Sequence, residues 1–216
     1  MGSLRISRNL RKFRLVTFDV TDTLMKFSVP PSIHYAKTAA KHGYTNVDPA
    51  RLGKNFRDVF KRMSIEYPNF GRASFNMSWE KWWRMLIIDI FTSSETKIPE
   101  DKLHEIANRL IEDYRKPPCC AMVDGADELV RKIKETNKTV GVISNFDPRL
   151  HEILQNIGLN QFDFVLTSYE QGILKPHPFI FQRAIDYCRV KESEALHVGN
   201  TLTADYLGAK NAGWTS

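Results

Sequence analysis

Apolar and polar positions recur with two different periods along the chain. The run Leu15-Val16-Thr17-Phe18-Asp19-Val20 is short, apolar and β-branched; it ends in an acid followed by turn residues, which predicts a buried parallel strand. Three similar runs come much later, at 139–144 (TVGVIS), 162–167 (FDFVLT) and 195–198 (ALHV). Between them the period is helical. Leu150, Ile153, Leu154 and Ile157 fall at i, i+3, i+4 and i+7, as do Phe181, Ala184, Ile185 and Cys188, so each stretch buries one face. Strands alternating with helices at this spacing predict βαβ units and a parallel sheet.

The stretch from 25 to 118 contains no strand-like run. Helical signals cover about 32–42, 49–66, 78–91 and 100–116, with Ser78 placed as an N-cap before Trp79-Glu80-Lys81. Leu103, Ile106, Leu110 and Tyr114 form an apolar stripe on the last of these, and Pro117-Pro118 marks the end of the insertion. The predicted architecture is therefore α/β: a Rossmann-like parallel sheet with helices on both faces, built from 14–24 and 119–216, carrying an all-helical insertion over 25–118. Trp79, Trp82, Trp83 and Phe91 invite comparison with a base-stacking platform. At helical spacing, though, large aromatics are read first as core.

Composition narrows the picture a little further. With 216 residues, 42% of them hydrophobic, the chain can fill a core of its own. No segment approaches the roughly 18 uninterrupted apolar residues of a membrane span, so a soluble protein is expected. A net charge of +6 suits an anionic substrate, a nucleic acid or a merely basic surface. No nucleic-acid module is recognisable, and nucleic acid is not the expected partner. Arg5, Arg8, Arg11, Lys12 and Arg14, with no acid among them, faintly resemble a mitochondrial transit peptide but are read as a solvated basic tail. A cytoplasmic location is expected, with the nucleus left open. Three cysteines, two of them adjacent at Cys119 and Cys120, make neither a disulfide framework nor a zinc spacing and are read as free thiols.

Phosphoryl transfer through an aspartate needs a carboxylate nucleophile, a cation, donors for the phosphoryl oxygens and a proton source for the leaving group. In an open parallel sheet these belong at the carboxyl ends of the strands. Four places qualify. Asp19 ends the first strand, with Thr23 four positions later, and would be nucleophile and Mg²⁺ ligand. Ser144 and Asn145 end the second, offering a hydroxyl and a backbone N–H to a phosphoryl oxygen. Lys175 stands just before a helix that Pro178 can begin, and would offset the charge of nucleophile and phosphate. Asn200 follows the last strand, with Asp205 five residues beyond, a set of oxygens suited to a hard cation. Each element alone also has a structural reading as turn former, cap or surface charge.

In this order, strand-Asp, strand-Ser, Lys-Pro and strand-Gly-Asn with a later Asp resemble the four motifs of the haloacid dehalogenase superfamily, from Leu15 to Gly213. The resemblance implies an Asp-based, Mg²⁺-dependent phosphatase acting on a small phosphorylated substrate, with the insertion as its cap. It assigns Asp19, Thr21 and Lys175 to catalysis, Thr23, Ser144, Asn145 and Lys175 to phosphate, and Asp19, the Thr21 carbonyl, Asn200 and Asp205 to the metal. Two departures stand out. The family's phosphatases usually carry a general acid where this chain has Thr21, and an acid where it has Asn200. Losing general acid–base help costs about 10²- to 10⁴-fold. Asp22 is expected to cap the turn rather than substitute, since neighbours in an extended segment point to opposite sides. P-type ATPases, which resemble this family, also place Thr two residues after their nucleophile, so phosphoryl transfer with attenuated hydrolysis is expected. The alternative is a catalytically impaired pseudoenzyme that binds a phosphorylated ligand or a protein partner. The chain stops where the family's fifth strand would begin, which suggests a shortened form with four strands and an open edge.

Overall fold

A computed structural model describes residues 10–216; the basic positions Arg5 and Arg8 lie outside them. The described residues divide into two compact units, one formed by 10–26 together with Met122–Ser216, the other by Phe27–Ala121.

The first unit is built on strands β1 (Leu15–Phe18), β4 (Thr139–Ser144), β5 (Phe164–Thr167) and β6 (Ala195–Val198), ordered β5-β4-β1-β6 with every pair parallel. Strands β2 (Met25–Phe27) and β3 (Cys120–Met122), three residues each, pair with one another at the two places where the chain passes between units. In the main sheet Leu15 is in register with Thr139 and Ala195, and Phe18 with Val142 and Val198. The register brings the carboxyl ends of β1, β4 and β6 to one edge, and Asp19, Ser144 and Gly199 follow or end them there. Flanking helices cover Ala126–Lys134, Arg149–Asn156 and Pro178–Cys188, the last begun by Pro178. Leu150, Ile153, Leu154, Phe181, Ala184 and Ile185 are all buried, as their spacing requires. Next to β6 the chain adds a single parallel bridge, Leu196 to Thr215.

The second unit is all helical: Pro31–Lys41, Pro49–Glu66, Trp79–Thr92 and Glu100–Asp113, with one short 3₁₀ turn at Asn69–Gly71. Asp48 caps the second helix through Ala50 N, and Ser78 caps the third through Lys81 N. Its core joins Leu52, Met63, Leu86, Ile90, Ile106 and Leu110 with Trp82, whose indole N–H donates to the Tyr67 carbonyl at 3.0 Å. Trp79 and Trp83 pack against this cluster, so the tryptophans are core, as their spacing predicts. No helix among the described residues is long and apolar enough to cross a membrane.

Candidate active site

A cleft of about 260 Å³ opens at the carboxyl edge of the sheet, lined by Asp19, Thr21, Asp22, Ser144, Asn145, Lys175, Asn200, Thr201, Ala204 and Asp205. Residues from four separate stretches of sequence thus meet in one place, because three of the stretches end neighbouring parallel strands. Of the residues expected here, only Thr23 is not in the lining. Its hydroxyl is buried and has no hydrogen-bond partner among the described residues.

Lys175 is the centre of the arrangement. Its Nζ donates to Asp19 Oδ1 at 2.8 Å, to Asp205 Oδ1 at 2.6 Å and to the Ile143 carbonyl at 2.7 Å. An ammonium has three protons, and all three are engaged. A phosphoryl oxygen could take an N–H from Lys175 only by exchanging one of these bonds, so its contribution to anion binding in this arrangement is charge. Asn145 fixes the lysine's backbone from both sides: its Nδ2 donates to Lys175 O at 2.9 Å and its Oδ1 accepts from Lys175 N at 2.7 Å. One N–H of that amide is committed, so what Asn145 has left for an anion is its second amide N–H and its backbone. The following turn is held by a buried fork in which Arg149 Nε and Nη2 donate to the two oxygens of Asp147, at 2.8 and 2.7 Å.

Asp205 sits in a wide π-helical turn, Leu202–Leu207, an irregularity common at functional sites. Besides Lys175 it accepts from His197 Nε2 at 3.1 Å on Oδ1 and from Thr201 N at 2.9 Å on Oδ2. Burial works against its charge, but the bond from His197 and the charge and bond of Lys175 outweigh it and hold the carboxyl well below the usual range. Gly199 makes room for it: a Cβ there would lie 2.3 Å from Asp205 Cγ. His197 is itself buried, with its pKa pushed down chiefly by loss of water. A neutral ring that donates from Nε2 to a carboxylate must accept at Nδ1, where the Thr17 hydroxyl lies 2.9 Å away. The relay Thr17–His197–Asp205–Lys175–Asp19 therefore runs from inside the sheet to the cleft. Sequence alone gives Thr17 and His197 no role, because both stand at ordinary inward strand positions.

One expectation is corrected. Asp22 does not cap its turn: its backbone has φ +57° and its side chain is exposed in the cleft lining, with no capping hydrogen bond among the described residues. The left-handed residue breaks the alternation that an extended segment would impose, so Asp22 and Asp19 face the same space.

With this geometry in place, the relatives are informative. Residues 13–213 match the family described as haloacid dehalogenase-like hydrolase. The chain belongs to this family. The rhythmically expressed gene 2 protein of Drosophila melanogaster is 43% identical over 218 residues, 97% of this chain and 84% of that protein. Haloacid dehalogenase-like hydrolase domain-containing protein 3 of Homo sapiens is 35% identical over 206 residues, 95% and 81% of the two chains. Among solved structures, a 2-haloacid dehalogenase from Pseudomonas syringae superposes with a TM-score of 0.59 at 25% identity, covering 94% of this chain and 84% of its own. The parallel sheet, flanking helices and inserted all-helical unit are the architecture of haloacid dehalogenase-like hydrolases.

Proposed function

We propose that the chain is a Mg²⁺-dependent phosphatase or phosphotransferase that forms an aspartyl phosphate on Asp19 from a small phosphorylated metabolite and hydrolyses it slowly. The observation that carries this reading is Lys175 bonded at once to Asp19 and Asp205 beside Ser144, at the lip of a parallel sheet. Lys175 occupies Oδ1 of Asp19, which leaves Oδ2 as the attacking oxygen. In the first step that oxygen bonds to phosphorus while the bond from phosphorus to the leaving oxygen breaks, and the leaving oxygen takes up a proton. In the second, water attacks phosphorus, the acyl-phosphate bond breaks, and carboxylate and inorganic phosphate are released. The Ser144 hydroxyl and the Asn145 backbone, both at the cleft, would hold phosphoryl oxygens.

Charge supports a divalent cation. Asp19, Asp22 and Asp205 share the cleft with Lys175, the one cation among the described lining residues, burial disfavours a charge on His197, and a phosphate would bring further negative charge. The available donors are hard oxygens, which fit Mg²⁺: Asp19, the Thr21 carbonyl and the Asn200 amide, with Asp205 held behind them by His197 and Thr201. When bound, Mg²⁺ supplies charge stabilisation for the transferring phosphoryl group. Asn200 carries no charge where the family usually has an acid, so weak metal affinity goes with this reading.

Slow hydrolysis follows from Thr21, whose hydroxyl cannot act as an acid or base at neutral pH as a carboxyl can. Asp22 shares the cleft but is exposed. The same two substitutions support a second reading, a phospho-ligand binder without turnover. Hydrolysis of p-nitrophenyl phosphate with Mg²⁺ tests the first: wild type should exceed Asp19→Asn, and equal rates would remove Asp19 from the chemistry. The double variant Thr21→Asp, Asn200→Asp separates the two readings. A gain of about 10²-fold or more over a slow but active parent is expected. A Mg²⁺-dependent gain over an inert parent would mark a degraded enzyme.

A further inference from the structure

The helical unit holds a second cluster of chemically active side chains, contributed by residues far apart in sequence. His34 stands in the first turn of helix Pro31–Lys41, Asp113 ends helix Glu100–Asp113, and Cys119 directly precedes β3. His34 Nε2 lies 3.1 Å from Asp113 Oδ2 and 3.4 Å from Cys119 Sγ, and the donor atoms of all three lie within 4.8 Å of one another. The positions are well fixed. Arg109 Nε holds Asp113 Oδ1 at 2.8 Å, the Tyr114 ring packs edge-on against His34, and the Cys119 carbonyl accepts from Ser28 N at 3.0 Å.

Hydrogen bonding alone satisfies this group poorly. A protonated Nε2 can donate to Asp113 but then offers nothing to the thiol's proton. An unprotonated Nε2 can accept from the thiol, but then presents its lone pair to the Asp113 oxygen at 3.1 Å. A nucleophilic cysteine triad is not built either, because sulfur and carboxylate crowd one ring nitrogen instead of using the two separately. Burial, reinforced by Asp113, also keeps the Cys119 thiol protonated.

The distances suit a shared cation. Bonds of about 2.0–2.1 Å to N and O and about 2.3 Å to S, at tetrahedral angles, give ligand separations of about 3.3 Å for N···O and about 3.6 Å for N···S. The observed separations are 3.1 and 3.4 Å. Sulfur also lies 3.9 Å from Nδ1, so it sits toward the ring face, and binding requires the Cys119 side chain and the His34 ring to turn so that sulfur and the Nε2 lone pair converge on the ion. One imidazole, one carboxylate and one thiolate select a borderline-soft ion over Mg²⁺.

We infer that His34, Asp113 and Cys119 form a zinc-class cation site within the helical unit, distinct from the Asp19 cleft. Binding forms bonds from Nε2, Oδ2 and Sγ to the ion and releases the thiol proton to solvent. The partial exposure of His34 and Asp113 leaves a fourth position for water. The ion ties the start of the first helix, the end of the last and the segment leading into β3 into one chelate, and so stabilises the unit by linkage.

The test uses the full chain, stripped with a chelator and titrated with Co²⁺ and with Zn²⁺. One tightly held Co²⁺ per chain is expected, with tetrahedral visible bands and a sulfur-to-cobalt charge-transfer band that set it apart from weaker, all-oxygen binding at the Asp19 cleft, and Zn²⁺ should raise the unfolding temperature. Cys119→Ser should lose the charge-transfer band and at least tenfold in affinity, His34→Gln should weaken binding similarly, and Cys188→Ser should bind like wild type. No binding by wild type, or an unchanged spectrum in Cys119→Ser, would overturn the inference. If Cys119→Ser does not fold, alkylation of the wild type decides: Zn²⁺ should protect Cys119 and leave Cys188 unprotected, and equal labelling of Cys119 with and without Zn²⁺ would overturn it.

Discussion

The interiors of the two units differ in kind. The helical unit buries Trp82, Leu86, Ile90, Phe91, Ile106 and Leu110, with little polar company beyond Thr38 and Ser94. The sheet unit also has an apolar core, around Leu15, Ile143, Ile180, Phe181 and Trp214, but it buries Asp19, Lys175, His197 and Asp205 at one edge of its sheet. Apolar burial gains free energy in proportion to area and tolerates variation in detail. A buried ionic network does not: its desolvation cost is offset only when every partner is in place. The helical interior is explained by stability, whereas the ionic edge calls for another reason, which the proposed phosphoryl transfer would supply.

Substitutions can sharpen this contrast. The largest effect is expected for Lys175→Met, which strands two buried carboxylates: a loss of about 3–5 kcal/mol in denaturant unfolding, together with loss of Mg²⁺-dependent phosphate release. An isolated cost below about 1 kcal/mol would mean that the network is relaxed by water. Next comes Leu110→Ala in the helical unit, where a fully buried side chain leaves a cavity. About 2–5 kcal/mol should be lost, with the charge network of the other unit unaffected.

The smallest effect is in pH dependence. Loss of water holds His197 below its ordinary pKa, so the unfolded chain binds the proton first as pH falls. Stability contributed by the neutral ring is therefore complete above about pH 6.5 and is lost as pH falls from there toward the folded-state pKa. His197→Gln should flatten that part of the stability profile relative to wild type. An unchanged slope between the two proteins would show that His197 does not titrate differently on folding.

Periodicity made the helical unit legible. Expected stretches at 49–66 and 78–91 correspond to Pro49–Glu66 and Trp79–Thr92, because long amphipathic helices with Asp48 and Ser78 at their starts leave little ambiguity. The strands at 139–144 and 195–198 were legible from their β-branched runs. Helix Ala126–Lys134 is equally legible in principle, since Ala126, Leu129, Val130 and Ile133 fall at i, i+3, i+4 and i+7, but its nine residues form a shorter signal than the long helices of the other unit. β2 and β3, three residues each, are too short to show any alternation.

In the cleft, residues standing at strand ends could be picked out, since topology alone brings strand ends together. Their supports could not. His197 and Thr17 lie within strands and look like any inward position, and Asn145's amide is committed to Lys175 by a loop geometry that no spacing encodes. Asp22 was misjudged because one left-handed residue reverses the direction its neighbours predict. Cys119 shows no metal spacing in sequence because its neighbours in the cluster, His34 and Asp113, are 85 and 6 positions away.

The account depends most on Asp19 as the atom that receives the phosphoryl group. Rapid acid quench of the Mg²⁺-loaded protein with an activated phosphate monoester, followed by peptide mass spectrometry, measures this directly. With the second step slowed by Thr21 as proposed, the peptide containing Asp19 should carry one base-labile phosphoryl group in wild type and none in Asp19→Asn. A phosphoryl group on another residue, or Mg²⁺-dependent phosphate release that persists undiminished in Asp19→Asn, would contradict the account.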